Sequence, residues 1–372
     1  MLNSPSPPLE FICSRHCLTW LYEQQISLAF STYQTHCLFF VGLKPEGELS
    51  IFERQFPRPM GLYATPDRLY LSTLYQIWQL ENTLAVGENY NGYDKLYVPR
   101  LAHTTGDLDI HDLAVDGEGR IVFVNTLYSC LGTTSDRYNF TPLWQPPFID
   151  KLAPEDRCHL NGLAMVNGQP RYVTAISRSD VAAGWRKKRQ SGGCLIDVST
   201  NEIILNTLSM PHSPRWYRGQ LWVLNSGTGD LGTVDLERGV FEAIAFCPGY
   251  ARGLTFYKDW ALVGLSKPRR EGAFSELTLD ERLTTKEAES QCGIAIINIK
   301  TGNIDHWIQI EGMITELYDL QVLPGVQRPM AFGFKTDEIC NWIAIDPQRP
   351  ALQPQRGETL IRGSGQIFPE FQ

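Results

Sequence analysis

The sequence predicts an all-β protein, a single β-propeller, from three observations: a phrase that recurs along the chain, a hairpin signal inside each copy, and no intervening helices between hairpins. The phrase places a variable residue before a Gly-Leu or Asp-Leu pair, then a small or apolar residue, a turn and a second apolar run. It reads MGLYATPDRLYLST from Met60, HDLAVDGEGRIVFVN from His111, NGLAMVNGQPRYVTA from Asn161, RGLTFYKDWALVGLS from Arg252 and YDLQVLPGVQRPMAFGF from Tyr318. Looser copies are SPRWYRGQLWVLNSG from Ser213 and ISLAFSTYQTHCLFFVG from Ile26.

Most copies lie roughly 35 to 65 residues apart, which suits one four-stranded blade each. Within each, the alternating run, the turn rich in Gly, Asp, Asn or Pro and the second run form a hairpin. Later pieces such as YQIWQL from Tyr75, GCLIDV from Gly193, GTVDL from Gly232 and GIAIINI from Gly293 supply a third strand. A β-sandwich would not require the same phrase to recur. Seven copies predict seven blades, with six as the alternative if the weak first and last copies form one composite blade closed by both chain ends, which removes exposed sheet edges. The expected division is an N-terminal extension and helix over 1–25, the propeller over 26–346 and a Pro-rich tail over 347–372.

Three stretches interrupt the rhythm. Leu131 to Ile149 is aromatic and Pro-rich, Arg178 to Gly192 is basic with Trp185, and Pro268 to Gln291 has partly helical character. Long loops on a rigid scaffold commonly wall a site. Leu131–Ile149 and Pro268–Gln291 are expected to border the channel mouth.

A net charge of -8 excludes general affinity for nucleic acid or anionic membrane, both of which need a basic face. The run Arg186-Lys187-Lys188-Arg189 reads as a solvated loop. The first residues lack a basic and an apolar signal region, and no stretch reaches the roughly 18 apolar residues of a membrane span, so a cytoplasmic location is expected. The 9 cysteines are scattered, odd in number and without a CxxC pair, which argues against a disulfide framework or zinc knuckle. Cys13, His16 and Cys17 lie by an amphipathic helix expected over Ser14–Gln25, and one face of small apolar side chains accounts for them. P-loop, GxSxG and HExxH motifs are missing. Asn225-Ser226-Gly227-Thr228-Gly229-Asp230 reads as a tight turn.

The first strand of each blade lines the central channel. The residue before each Gly/Asp-Leu pair therefore points to the axis or its mouth: Met60, His111, Asn161, Arg252 and Tyr318. Strand periodicity of two places Arg58, Asp109, His159, Tyr250 and Glu316 in a second polar layer. His212 or Ser213 joins from the looser copy. Burying so many donors and acceptors is costly unless they bind one another, water or a ligand.

His111, His159 and His212 are three of only 7 histidines and arise from consecutive repeats. They are the candidate ligands of a divalent metal, zinc or iron by imidazole chemistry, with an open position fitting catalysis. Asp109 and Asn161 are alternative oxygen ligands, which point to calcium or magnesium. Arg252 is the candidate for steadying an anionic substrate, and Tyr318, Tyr250 or Glu316 for proton transfer.

The strings PLWQPPFI from Pro142, EDRCHLNGLAM from Glu155, MPHSPRW from Met210 and LWVLNSGTG from Leu221 resemble those of a bacterial family of conserved hypothetical proteins, from about Phe11 to Asp346. More distantly, Asn161-Gly162-Leu163 is similar to the Asn-Gly-Leu phrase of gluconolactonase-like propellers, which implies Asn161 as a metal ligand. Three axial histidines resemble the zinc-dependent propeller of peptidylglycine amidating lyases and the iron site of carotenoid oxygenases, though a fourth matching histidine is missing here. Two functions follow as expectations. One is a metal-dependent enzyme acting on a small molecule or peptide at the channel mouth by hydrolase, lyase or oxygenase chemistry. The other is a non-catalytic propeller that binds a ligand or protein partner.

Overall fold

The computed structural model describes residues 8–267 and 277–345. The expected tail over 347–372 and the first part of the Pro268–Gln291 stretch lie outside the described residues.

The propeller has six blades, not seven. Blade 1 is composite: its innermost strand is Leu320–Pro324, followed outward by Ile26–Thr32, Cys37–Leu43 and Leu49–Gln55. The Ile26 copy of the phrase thus supplies middle strands, while the Tyr318 copy supplies the inner one. Two copies make one blade, which is why counting phrases overshoots. Blade 2 holds Leu62–Ala64, Arg68–Ser72, Gln76–Asn82 and Lys95–Thr104, with Pro329–Ala331 added in parallel at its outer edge. Blade 3 holds Ile110–Val115, Ile121–Asn125, Cys130–Thr133 and Thr141–Trp144. Blade 4 holds Leu160–Val166, Gln169–Ala175, Gly193–Asp197 and Ile203–Leu208. Blade 5 holds Pro211–Tyr217, Gln220–Asn225, Asp230–Asp235 and Val240–Phe246. Blade 6 holds Tyr250–Tyr257, Trp260–Ser266, Gly293–Asn298 and Ile304–Glu311, with Glu10–Cys13 pairing antiparallel as a fifth strand. The six inner strands contact one another in a closed ring.

Each blade faces a neighbour on both sides, so middle strands are apolar on both faces. Ile26–Thr32 is buried throughout: Leu28 and Phe30 meet blade 6, while Ala29 meets blade 2. A helix over Cys17–Gln24 closes the outside of that junction through Cys17, Trp20 and Leu21, the spacing of one helical face. It ends on Gln25 in the left-handed conformation, φ 52°. Among the described residues no helix is long and apolar enough to cross a membrane.

Hydroxyls latch neighbouring blades. Ser31, Ser72, Thr126, Ser226 and Ser266 stand at or just beyond the C-terminal end of a second strand. Their hydroxyls donate to the carbonyls of Met60, Ile110, Leu160, Ala251 and Leu317, each at the start of the next blade.

The interruptions resolve unequally. Residues 131–149 are not a lid; they complete the third strand of blade 3 and supply its outermost one, Thr141–Trp144, with irregular chain between and after. The second and third do form a cap. Trp185, in a short helix over Gly184–Lys188, packs with Leu277, Leu279 and Leu283 of the helix Thr278–Thr285 against Ile176, Met210 and Tyr250. The cap helix sits on the Asn225–Asp230 turn, where the Leu279 amide donates to the Gly227 carbonyl at 2.9 Å.

Candidate functional site

The channel is closed at mid-height by an ion cluster. Arg215 of blade 5 donates to both carboxylate oxygens of Asp112 in blade 3, at 2.7 and 3.2 Å. It also donates to the carbonyls of Leu163 in blade 4 and Leu254 in blade 6, and lies 3.9 Å from Asp319 at the start of blade 1. Asp319 in turn accepts from the Leu62 amide of blade 2 at 2.8 Å. One guanidinium with two carboxylates therefore reaches all six blades.

This cluster explains the Gly/Asp alternation in the repeated phrase. Blades 1, 3 and 5 carry a side chain that accepts from the following blade: Asp319 from Leu62, Asp112 from Leu163, Ser213 from the Gly253 amide. Blades 2, 4 and 6 carry Gly61, Gly162 and Gly253, each approached by the next odd blade. A Cβ on Gly253, at φ +73°, would meet the Asp319 Cα at 2.9 Å. The ring thus has a three-fold alternation within six blades.

Above the cluster lies a cavity with room for roughly one water, lined by His111, Asn161, His212, Arg252, Tyr318 and the ion cluster. Nδ1 of His111 lies 2.8 Å from the Asp109 carbonyl, and Nδ1 of His212 lies 2.8 Å from the Met210 carbonyl. Carbonyl oxygens only accept, so both rings carry their proton on Nδ1 and present an Nε2 lone pair. His159 is anchored likewise, Nδ1 facing the Asp156 carboxylate at 2.9 Å, and Asp156 also accepts from the Trp185 indole at 2.7 Å.

Strand periodicity fails at the mouth. Arg58, Asp109, His159 and Met210 all adopt positive φ, between 45° and 52°, where the chain leads into an inner strand. Each such residue costs about 1–2 kcal/mol. In blades 3 and 5 the twist turns the carbonyl back to the imidazole two residues on. In blade 4 it carries His159 to His111: the rings meet edge to face at 4.8 Å, joining two layers that a straight strand would separate.

Arg252, almost wholly buried, sits among the rings of Tyr33, Tyr250 and Tyr318, with its guanidinium carbon 5.0–5.9 Å from their centres. Glu316 lies 4.0 Å away and accepts from the Tyr33 hydroxyl. Desolvation depresses both axial imidazoles: His111 falls to about 4, and His212 goes well below its ordinary value, with Arg252 adding to the effect. Both are neutral at pH 7. Burial opposes ionisation of Asp109, but the surrounding His111, His159, Arg58 and Arg252 outweigh it and hold the carboxyl below its ordinary range.

Burial pushes Glu316 up to about 7. An acid whose folded pKa is raised contributes stability below its unfolded value and loses it as pH rises through the folded one. Glu316→Gln is therefore expected to gain on the wild type between pH 4.5 and 7.5, by about 2–3 kcal/mol at the upper end. Urea unfolding of both proteins across that range checks it, and parallel pH profiles would refute it.

The mouth brings together the candidate ligands His111, His159, His212, Asn161 and Asp109 with Arg252, Tyr250, Tyr318 and Glu316. Among the described residues, however, no three His, Cys, Asp or Glu side chains are grouped to hold a metal ion. Asn161 instead accepts from the Thr174 hydroxyl at 2.7 Å, and Asp109 pairs with Arg58 at 3.7 Å. Asp112, Asp319 and Arg215 are not among the expected site residues, although the Asp of Asp-Leu and the Arg of SPRW stand inside the repeated phrase. Tyr33 and Asp156 carry no signal in the sequence.

Architecture and axial cluster together define a six-bladed β-propeller with a capped polar site at one mouth of its channel. The chain belongs to the family described as a domain of unknown function, DUF4915, which matches residues 15–332. No curated protein matches the sequence. Among solved structures, a chain of a nidogen/laminin complex shares the fold over 81% of this chain and 99% of its own, at 12% identity and a TM-score of 0.50. Virginiamycin B lyase from Staphylococcus aureus aligns over 76% of each chain at 10% identity and a TM-score of 0.39. A streptogramin B lyase aligns over 64% of this chain and 72% of its own at 13% identity and a TM-score of 0.39.

Proposed function

We propose that this protein is an enzyme acting on a small molecule or short peptide at the capped axial mouth, with a divalent metal, zinc or iron before calcium, held by His111, His159 and His212. One observation carries the reading: Nε2 of His212 is buried at the cavity without a hydrogen-bond partner, and so is Nδ2 of Asn161, a donor that a substrate oxygen rather than a metal would satisfy. Each such atom costs about 1–3 kcal/mol, which a bound group would relieve. Anchored Nδ1 atoms with free Nε2 lone pairs are the outer-sphere arrangement that metal-binding imidazoles need. Metal binding then includes a closing-up of the rings, since they do not yet form a coordination set.

A metal there would polarise a carbonyl or activate water. Arg252 is suited to steady negative charge that develops on the substrate, and Glu316 with Tyr33 to move a proton near neutrality. Tyr318, against both His111 and Arg252, is suited to orient the substrate.

The test is metal content of protein purified without a histidine tag. One equivalent in the wild type is expected, falling at least about tenfold in His111→Ala and His212→Ala while the melting transition persists. Folded wild type that stays metal-free after incubation with zinc and with iron sinks the metal. The second reading, a non-catalytic propeller that binds a ligand or protein partner, is favoured by the lack of a ready three-ligand group among the described residues. It would gain if metal-free protein bound a small ligand with loss of binding in Asn161→Ala.

A further inference from the structure

We propose that the opposite mouth of the channel is a second binding site, one that takes a flat aromatic group of one or two rings stacked on Arg215. The ion cluster that forms the floor of the histidine cavity is also the floor of a larger funnel of about 230 Å³ on the other side. Tyr63, Met165, Trp216, Thr255, Phe256 and Gln321 wall it, drawn from the inner strands of blades 1, 2, 4, 5 and 6.

The orientation of Arg215 follows from its partners. A guanidinium donates only in its own plane, and here it donates to Asp112, to the Leu163 carbonyl and to the Leu254 carbonyl, on blades 3, 4 and 6 around the axis. Its plane therefore lies across the channel and a face looks into each mouth. The side chain keeps 19% exposure despite these bonds. With its edge donors engaged, what it offers a ligand is a flat cationic face. Electron-rich rings stack on such a face.

The walls suit the same guest. Phe256 is held flat against Tyr217, with centres 4.4 Å apart and planes at 10°, and Trp216 leans on Tyr172 at 6.1 Å and 29°. Rings fixed by neighbours lose little freedom on binding. The volume is below the roughly 300–1,000 Å³ of sites for drug-sized ligands, which limits the guest to a small ring system. Thr255 and Tyr63, both in the lining, carry the hydroxyls that suit its polar edge. The guest is either a free molecule or the aromatic side chain of a peptide, since both present the same face.

Two probes separate these sources: indole, and the tripeptide Gly-Trp-Gly. Saturation-transfer difference NMR is expected to show saturable binding of at least one, the peptide arm binding more tightly if the natural guest is a side chain. Trp216→Ala should weaken binding at least about tenfold. Thr255→Trp, which fills the funnel without removing a packed group, should abolish it while keeping the wild-type melting transition. Saturable binding of neither probe, or binding that survives in folded Thr255→Trp, overturns the proposal. Neither result bears on the metal content at the other mouth, so the two readings fail separately.

Discussion

Replacing Arg215 with Met is expected to lower stability by about 3–5 kcal/mol, because it strands Asp112 and Asp319 as neighbouring buried carboxylates with no cation between them. Asp319 is already pushed up to about 7, chiefly by burial and despite the pull of Arg215. Without the arginine the opposing pull disappears and Asp319 favours protonation further. Two signatures separate this from a simple packing loss. The deficit of Arg215→Met should shrink as pH falls toward 4, where protonation relieves the repulsion. Adding Asp112→Asn and Asp319→Asn to the variant should recover part of it at neutral pH. Urea unfolding at several pH values reads both. A deficit that does not change with pH, and is not eased by the amides, would mean that Arg215 acts by shape alone.

The second large effect is expected at the glycines of the even blades, and it should be graded. A Cβ on Gly162 would lie 2.7 Å from the Thr174 hydroxyl and 3.0 Å from the Ser213 nitrogen, with Pro214 closer still. On Gly253 it would strike the Asp319 backbone, and the positive φ adds its own strain. Overpacking and strain together make Gly162→Ala and Gly253→Ala costly by about 2–4 kcal/mol. Gly61 has its nearest neighbour, the Asp112 Cα, at 3.2 Å and no unusual φ, so Gly61→Ala should cost under about 1 kcal/mol. Thermal and urea midpoints of the three variants give the ranking; equal losses would contradict the graded crowding at these glycines.

The repeated phrase made the propeller legible because each copy carries the same physical demand: an inner strand that must approach its neighbours closely at Gly or bond them through Asp. Blade number was harder to read. Composite closure depends on which distant segments pair, and Ile26–Thr32 looks like any first strand until Leu320–Pro324 is seen beside it. The axial residues are legible because the position before Gly/Asp-Leu lines the cavity at His111, Asn161, Arg252 and Tyr318. Their heights were misjudged at His159, where a left-handed turn that no residue type announces bends the chain toward His111. Residues 131–149 read as a lid because Pro and aromatic content suggested a loop, whereas Thr141–Trp144 is an outer strand, which tolerates Pro142 at a sheet edge. Asp156 lies outside the repeated phrase and Tyr33 in the turn of a looser copy, and their contacts reach Trp185 in the cap and Arg252 in blade 6.

Composite blade 1 also fixes an order of events during synthesis. Strands Ile26–Thr32, Cys37–Leu43 and Leu49–Gln55 emerge early, yet their inner partner Leu320–Pro324 comes after the five other blades. At about 5–20 residues per second the ribosome leaves that three-stranded sheet with an open hydrogen-bonding edge for roughly a quarter of a minute to nearly a minute. Bare edges of this kind pair with other chains. Ring closure thus waits for Leu320–Pro324, and a chain that stops before Leu320 has nearly all of its strands and no means of sealing them.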